Sequence, residues 1–232
     1  MTQEPRMTQE PLDPPVLEGL RRYDSPTLAN AIETFDIRPR DEGFASHEIR
    51  SIFPDLPVMV GYAATATIRA RGKAPNDPGP LWEHVRTLPT PRVVVMQDLD
   101  DPPAHGAFWG EVMATTFTAL KCEGVVTSGS VRDLDEAHAI GFRFFARAVS
   151  VSHAYVRTES VGETVTVGGL EVSPGDLIHA DKHGVLSIPK EIAAELPAAA
   201  EKVVAKEQRF LDWVRSEDFD PARIAEIRKL TH

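Results

Sequence analysis

Two stretches of the sequence carry the residue types from which a catalytic site is built. The first, DLDDPPAHGAFWGEVM at residues 98–113, sets Asp98, Asp100, Asp101 and His105 between an apolar run and the pair Gly110-Glu111. In α/β sheets ligands bind beyond the carboxyl ends of strands, and the free amides at a helix start receive a carboxylate or phosphate. A glycine at such a start lets the ligand approach the backbone closely. The same composition also suits an ordinary strand–loop–helix connection with solvated aspartates. The second stretch, TSGSVRD at residues 127–133, reads as a strand, a small-residue turn and the start of a helix. Arg132 offers a planar fork for a carboxylate, and Asp133 a hard oxygen donor for a divalent cation, directly or through water. Read alone, Asp133 serves equally as the N-cap of a helix over 134–140, and Arg132 as a structural ion-pair partner.

Other chemistries find little support. His179 and His183 have i, i+4 spacing, but the Asp181-Lys182 between them signals a turn, and no HExxH pattern is present. Most of the histidines suit surface or hydrogen-bonded structural roles; His105, in the acidic loop, is the one to test as a proton carrier, with a metal-bound water as the alternative. The sequence has no GxSxG elbow, no phosphate-binding Walker loop and no GxGxxG after a strand. The single cysteine, Cys122, forms no intramolecular disulfide and is expected as a small buried hydrophobe.

The elements that must position these residues follow from pattern. Asp24-Ser25-Pro26 predicts a helix start with Ser25 as N-cap, and Leu28, Ile32 and Phe35 share one face. Strands are predicted over 58–70, 92–97, 124–127 and 143–146, with helices over 81–88, 109–122 and 134–140 between them. This alternation indicates βαβ units and a mainly parallel sheet. Residues 161–188 read as short strands joined by glycine turns. A helix over 190–215, interrupted or kinked at Pro197, and a last helix over 221–230 complete the chain. Residues 1–15, including a partial MTQEP repeat, are expected as a mobile tail, and 16–232 as a single domain.

Composition narrows the class. The chain has 232 residues, 42% of them hydrophobic, which is enough for one substantial core. Its formal charge of -10 repels nucleic-acid phosphates, and no basic cluster with interleaved aromatics offsets this. No apolar run reaches membrane-spanning length and the N-terminus has no apolar core like that of a secretory signal, so the cytoplasm is the expected location.

Taken together, GEVMATTFTALKCEGVVTSGSVRDLDEA (110–137), SPTLANAIE, MVGYAATATIR and VGGLEVSPGDLIHADKHGVLSIP resemble the RraA-like family over roughly residues 20–210. That family includes 4-hydroxy-4-methyl-2-oxoglutarate aldolases with oxaloacetate decarboxylase activity, and the regulator of ribonuclease activity A. The resemblance implies an α/β, swivelling β/β/α fold with a central mixed sheet and C-terminal helices. It also implies a homotrimer or dimer of trimers with active sites between subunits. By the same resemblance, the amides of Gly110, Glu111, Val112 and Met113, together with Arg132, bind the pyruvyl part of a 2-keto acid. Asp133 anchors Mg²⁺ or Mn²⁺, and Glu111 contributes through metal-bound water. A glutamate from the neighbouring subunit's C-terminal helix completes the metal shell; Glu207 is the nearest candidate, with Glu201 the alternative. Many family members carry an acid or asparagine before the glycine where this chain has Ser128, which points to an altered pocket floor. His153 also departs from the expected pattern.

The expected activity is therefore a metal-dependent, class II-like aldolase or decarboxylase releasing pyruvate, with the enolate stabilised by metal and Arg132. No lysine at these motifs suits a Schiff base. The rival readings are a non-catalytic regulator that binds a ribonuclease, and a lyase or isomerase acting on another hydroxy or keto acid.

Overall fold

The computed structural model describes residues 11–231; the first MTQEP copy and most of the second lie outside the described residues. The chain is engaged earlier than the expected tail would allow. The Leu12 amide donates to the Tyr62 hydroxyl at 2.7 Å, and α1 (Pro14–Leu20) buries Leu17 and Leu20. Then follow α2 (Ser25–Glu33), β1 (Arg50–Ser51), β2 (Met59–Arg69), α3 (Gly79–Thr87), β3 (Arg92–Asp98) and β4 (Ala107–Trp109). The middle of the chain forms α4 (Glu111–Ala119), β5 (Cys122–Val131), α5 (Leu134–Ile140) and β6 (Arg143–Val149). The short strands β7 (Arg157–Val161), β8 (Val165–Val167), β9 (Leu170–Val172), β10 (Leu177–Asp181) and β11 (Gly184–Ile188) come next. Helix α6 (Leu196–Val214), a 3-10 turn at Pro221–Arg223 and α7 (Ile224–Thr231) close it.

Among the described residues one mixed sheet runs β1-β6-β5-β3-β2-β10-β11, with β4 beside β5 and β7 beside β2, while β8 and β9 form a separate hairpin. The pairs β2–β3, β3–β5 and β5–β6 are parallel, as the βαβ alternation requires, and β10 joins β2 antiparallel. Strand β2 is buried at every residue but its last. That explains its unalternating run of small and β-branched residues, because a strand covered on both faces has no polar side. One core, with Trp109, Phe117, Phe142 and Phe144, lies under α3, α4 and α5. A second joins α1, α2 and α6 to β2, β10 and β11. The β8–β9 hairpin caps a third. Cys122 is buried as expected, and burial pushes its thiol up to about 12.

The structure differs from the sequence-based elements in instructive ways. Strand β5 continues to Val131, through the Ser128-Gly129-Ser130 segment expected to be a turn. Side chains compensate the backbone there. The Asp98 amide donates to Ser128 Oγ at 2.9 Å, and the Gly129 amide to Thr127 Oγ1 at 2.9 Å. Ser128 is thus tied to the end of β3. Residue 24, not 25, caps α2: Asp24 accepts from the Thr27 amide at 2.9 Å. Pro197 starts α6 rather than kinking it, since proline is tolerated in the first turn, where amides lack helical partners. Trp109 belongs to β4, so the helix expected from 109 begins at Glu111.

Candidate active site

The carboxyl ends of β4, β5 and β6 lie side by side, and the predicted residues gather there. The Arg132 amide donates to the Trp109 carbonyl at 2.9 Å, which locks the end of β5 to the end of β4. Asp133 then adopts the left-handed conformation, φ 51° and ψ 54°. Few residues other than glycine adopt it, and aspartate is among the more tolerant. Asp133 occupies the cap position of α5, yet its side chain makes no capping bond to that helix. Its Oδ2 accepts the Glu111 amide at 3.1 Å instead, at the start of the neighbouring α4. The N-cap alternative is thereby set aside, and the left-handed turn aims the carboxylate across to the other helix. Arg132 Nε lies 3.6 Å from the same oxygen, with the two side chains 35% and 36% exposed. Neither group is sealed in a structural ion pair.

Gly110 is a requirement of this geometry. A Cβ built there would collide with the Asp133 carboxylate and press on the Arg132 side chain. Beyond it, the first helical hydrogen bond of α4 runs from the Ala114 amide to the Gly110 carbonyl at 2.9 Å. The amides of Val112 and Met113 come before that bond and have no acceptor within the helix. Gly110, Val112, Met113, Arg132 and Asp133 line one cleft of about 400 Å³, joined by His153. The Glu111 side chain is exposed beside it.

Other expected residues lie elsewhere. His105 is exposed and does not line this cleft. Its loop is locked by two of its three aspartates, Asp98 and Asp100, both buried. Asp98 accepts the Asp100 and Ala104 amides at 2.9 and 2.7 Å, and Asp100 accepts the Ala70 and Arg71 amides at 2.7 and 3.0 Å. Burial raises the Asp98 carboxyl above the ordinary value despite those bonds. These acids shape the loop rather than face a ligand. Glu207 lies on α6, within 3.4 Å of Asn30 Nδ2, and lines a different cleft with Asn30, Glu33 and Arg40. Glu201, also on α6, is exposed. Within one chain neither glutamate lines the Asp133 cleft. Among the described residues no three His, Cys, Asp or Glu side chains form a metal-binding group.

His153, marked in the sequence only as a departure from the family pattern, is the residue whose place in the cleft sequence reasoning missed. The signal was its position just past β6, on the same carboxyl edge as Arg132.

A second polar cluster joins α2 to β10. His179, fully buried, accepts from the Ser25 hydroxyl at Nδ1 (2.9 Å) and donates from Nε2 to the Tyr23 carbonyl (3.2 Å). Asp181 accepts the Ser25 amide at 2.8 Å and the His183 amide at 2.8 Å. Burial holds the His179 imidazole down at about 4. Burial also pushes the Asp181 carboxyl upward, but its bonds from Ser25 and His183 outweigh that and hold it below the ordinary value.

Residues 26–187 match the RraA-like family, described as Aldolase/RraA. The chain belongs to the RraA-like family. A protein of Methanocaldococcus jannaschii without a characterised function is 26% identical to this RraA-like chain over 72% of it and 77% of the relative. A Halalkalibacterium halodurans protein, named for a proposed 4-hydroxy-4-methyl-2-oxoglutarate aldolase activity, is 31% identical over 36% of this chain and 40% of its own. Among solved structures, a Streptomyces coelicolor protein described as an unusual member of the RNase ES inhibitor RraA family superposes with a TM-score of 0.69. That alignment has 21% identity over 87% of this chain and 98% of that one. The shared fold is the α/β arrangement with a mixed sheet that the resemblance implied, and the family holds both aldolases and ribonuclease regulators. Among the described residues no helix is long and apolar enough to cross a membrane.

Proposed function

We propose that this RraA-like protein is a divalent-metal-dependent lyase that cleaves a carbon–carbon bond of a 2-keto acid to release pyruvate. Its substrates are of the 4-hydroxy-4-methyl-2-oxoglutarate or oxaloacetate type. One observation carries the reading: a guanidinium, a carboxylate turned away from its own helix and the unpaired amides of a helix start meet in one cleft. The amides of Val112 and Met113 receive the substrate carboxylate, where the helix end favours negative charge. Arg132 lies beside them and stabilises the charge that develops as the bond breaks.

The donor set fits a hard cation. Asp133 offers an oxygen in a cradle that a side chain at position 110 would fill, and carboxylates are the ligands that Mg²⁺ and Mn²⁺ prefer. Asp133 and Glu111 would hold the ion, with Glu207 supplied by a neighbouring copy. When bound, such an ion supplies positive charge to the 2-keto oxygen.

The resemblance implies a homotrimer or dimer of trimers, in which a neighbouring copy would bring that third carboxylate. Val112, Val149, Val151 and Tyr155 are 73%, 53%, 98% and 57% exposed on segments bordering the cleft. Such apolar surface is what a second copy covers.

Calorimetric titration with Mn²⁺ tests the metal assignment. Binding by the wild type and its loss in Asp133→Ala are expected; undiminished binding by that variant would contradict the assignment. Absence of both metal binding and turnover, with capture of a ribonuclease, would favour the regulator instead.

A further inference from the structure

The loop carrying His153 is sutured to the cleft at several points. The Ser150 amide donates to the Val131 carbonyl at 3.0 Å, and the Ser130 and Ser150 hydroxyls are 2.8 Å apart. The Ala107 amide donates to the Ser152 carbonyl at 2.9 Å. Gly106 packs directly beneath: a Cβ there would come within 2.6 Å of the His153 carbonyl oxygen. Ala154 is held at φ 49°, a left-handed conformation that costs an alanine energy. The ring gains an anchor in that turn, with His153 Nδ1 2.7 Å from the Ala154 carbonyl oxygen. A carbonyl accepts only from an N–H, so Nδ1 carries a proton, and in the neutral ring Nε2 carries the lone pair. The side chain lines the same cleft as Arg132 and Asp133.

We infer that His153 is the proton carrier of carbon–carbon cleavage in this cleft, an inference that rests on the lyase reading above. With a 4-hydroxy-2-keto acid, Nε2 takes the proton of the C4 hydroxyl. The O–H electron pair forms the new carbonyl, the C3–C4 bond breaks, and its electron pair passes into the enolate of pyruvate. The imidazolium then returns the proton to C3 to give the methyl group. One proton leaves oxygen and one reaches carbon, so the step balances without a co-reactant. Oxaloacetate has no hydroxyl at C4. Its cleavage releases carbon dioxide with no proton removed, and the remaining enolate takes a proton at C3 from solvent in the open cleft. His153 is thus required for one reaction and dispensable for the other.

The test is His153→Gln in the full-length protein, compared with the wild type on both substrates, with thermal melting as a check on folding. General-base loss typically costs roughly 10²- to 10⁴-fold. Turnover of the hydroxy acid is expected to fall by that factor with KM little changed, while decarboxylation falls less than about tenfold by the argument that no proton is abstracted. Exchange of the pyruvate methyl protons with D₂O, the reverse of the final transfer, is expected to slow in parallel with aldol cleavage. Equal loss on both substrates, or no loss on either, would overturn the role of His153 while leaving the lyase reading intact. A wild type inert toward both substrates would overturn both.

Discussion

Two clusters of this protein draw on similar residues and are built in opposite ways. At the α2–β10 contact, Ser25, His179 and Asp181 are all buried, and each polar group named there meets a partner within the chain. At the ends of β4, β5 and β6, Arg132, Asp133 and His153 are partly or fully exposed, and each is held on one side while presenting the other to a cleft. A serine, a histidine and an aspartate together suggest hydrolytic chemistry, yet here that trio clamps a helix to a sheet. The difference teaches that residue type alone does not mark a site. Unspent hydrogen-bonding capacity, positioned by strained backbone, marks it better.

The contrast is broken most severely by substitutions in the cleft. Gly110→Ala places a methyl group on the Asp133 carboxylate and displaces it from the Glu111 amide. Activity is expected to fall by roughly 10²-fold or more, the scale at which misplacement of about 1 Å acts. Melting temperature should stay within a few degrees. Equal loss of stability and activity would make the cleft merely structural.

The clamp should show the reverse. Asp181→Ala leaves the buried Ser25 amide without its acceptor, and each such loss costs about 1–3 kcal/mol. Urea unfolding should register that cost, while the folded fraction keeps its turnover number. Full stability with lost turnover would place the trio in the chemistry after all.

The pH dependence separates the two clusters more gently. His179 is buried neutral with its folded value near 4, below the ordinary 6.5. Its stabilising contribution is fully present above about pH 6.5 and is lost as pH falls toward about 4, where the native state too is protonated. The stability carried by the neutral ring, on the order of 3 kcal/mol, is lost across that window. His179→Gln should flatten this slope in unfolding experiments between pH 7 and 4; an unchanged slope would assign it elsewhere.

Much of this was legible in the sequence. The parallel strands and the helix Leu134–Ile140 followed from apolar runs and periodicity. Gly110, Arg132 and Asp133 stood out because each fell where a strand and its loop hand over to a helix, and because both motifs resemble the RraA-like family. What escaped was tertiary. Ser128-Gly129-Ser130 has turn composition, and only the Asp98 amide and the hydroxyl bonds reveal a continuing strand. His105 drew attention because it stands five residues from Gly110, whereas His153 reaches the cleft through the pairing of β6 with β5. No helix was expected ahead of Asp24, because Leu17 and Leu20 find their core only against α6 and β2.

Whether the cleft between Arg132 and Asp133 is a pyruvate-releasing centre is decided by one comparison. Pyruvate is measured from oxaloacetate and from 4-hydroxy-4-methyl-2-oxoglutarate, with Mg²⁺ and then with EDTA, for the wild type and Arg132→Ala. The account predicts metal-dependent pyruvate from the wild type and a loss of at least about 10²-fold in the variant, the scale of removing one charge-stabilising donor. Pyruvate release by Arg132→Ala at the wild-type rate, or no release by a wild type supplied with metal, would contradict it.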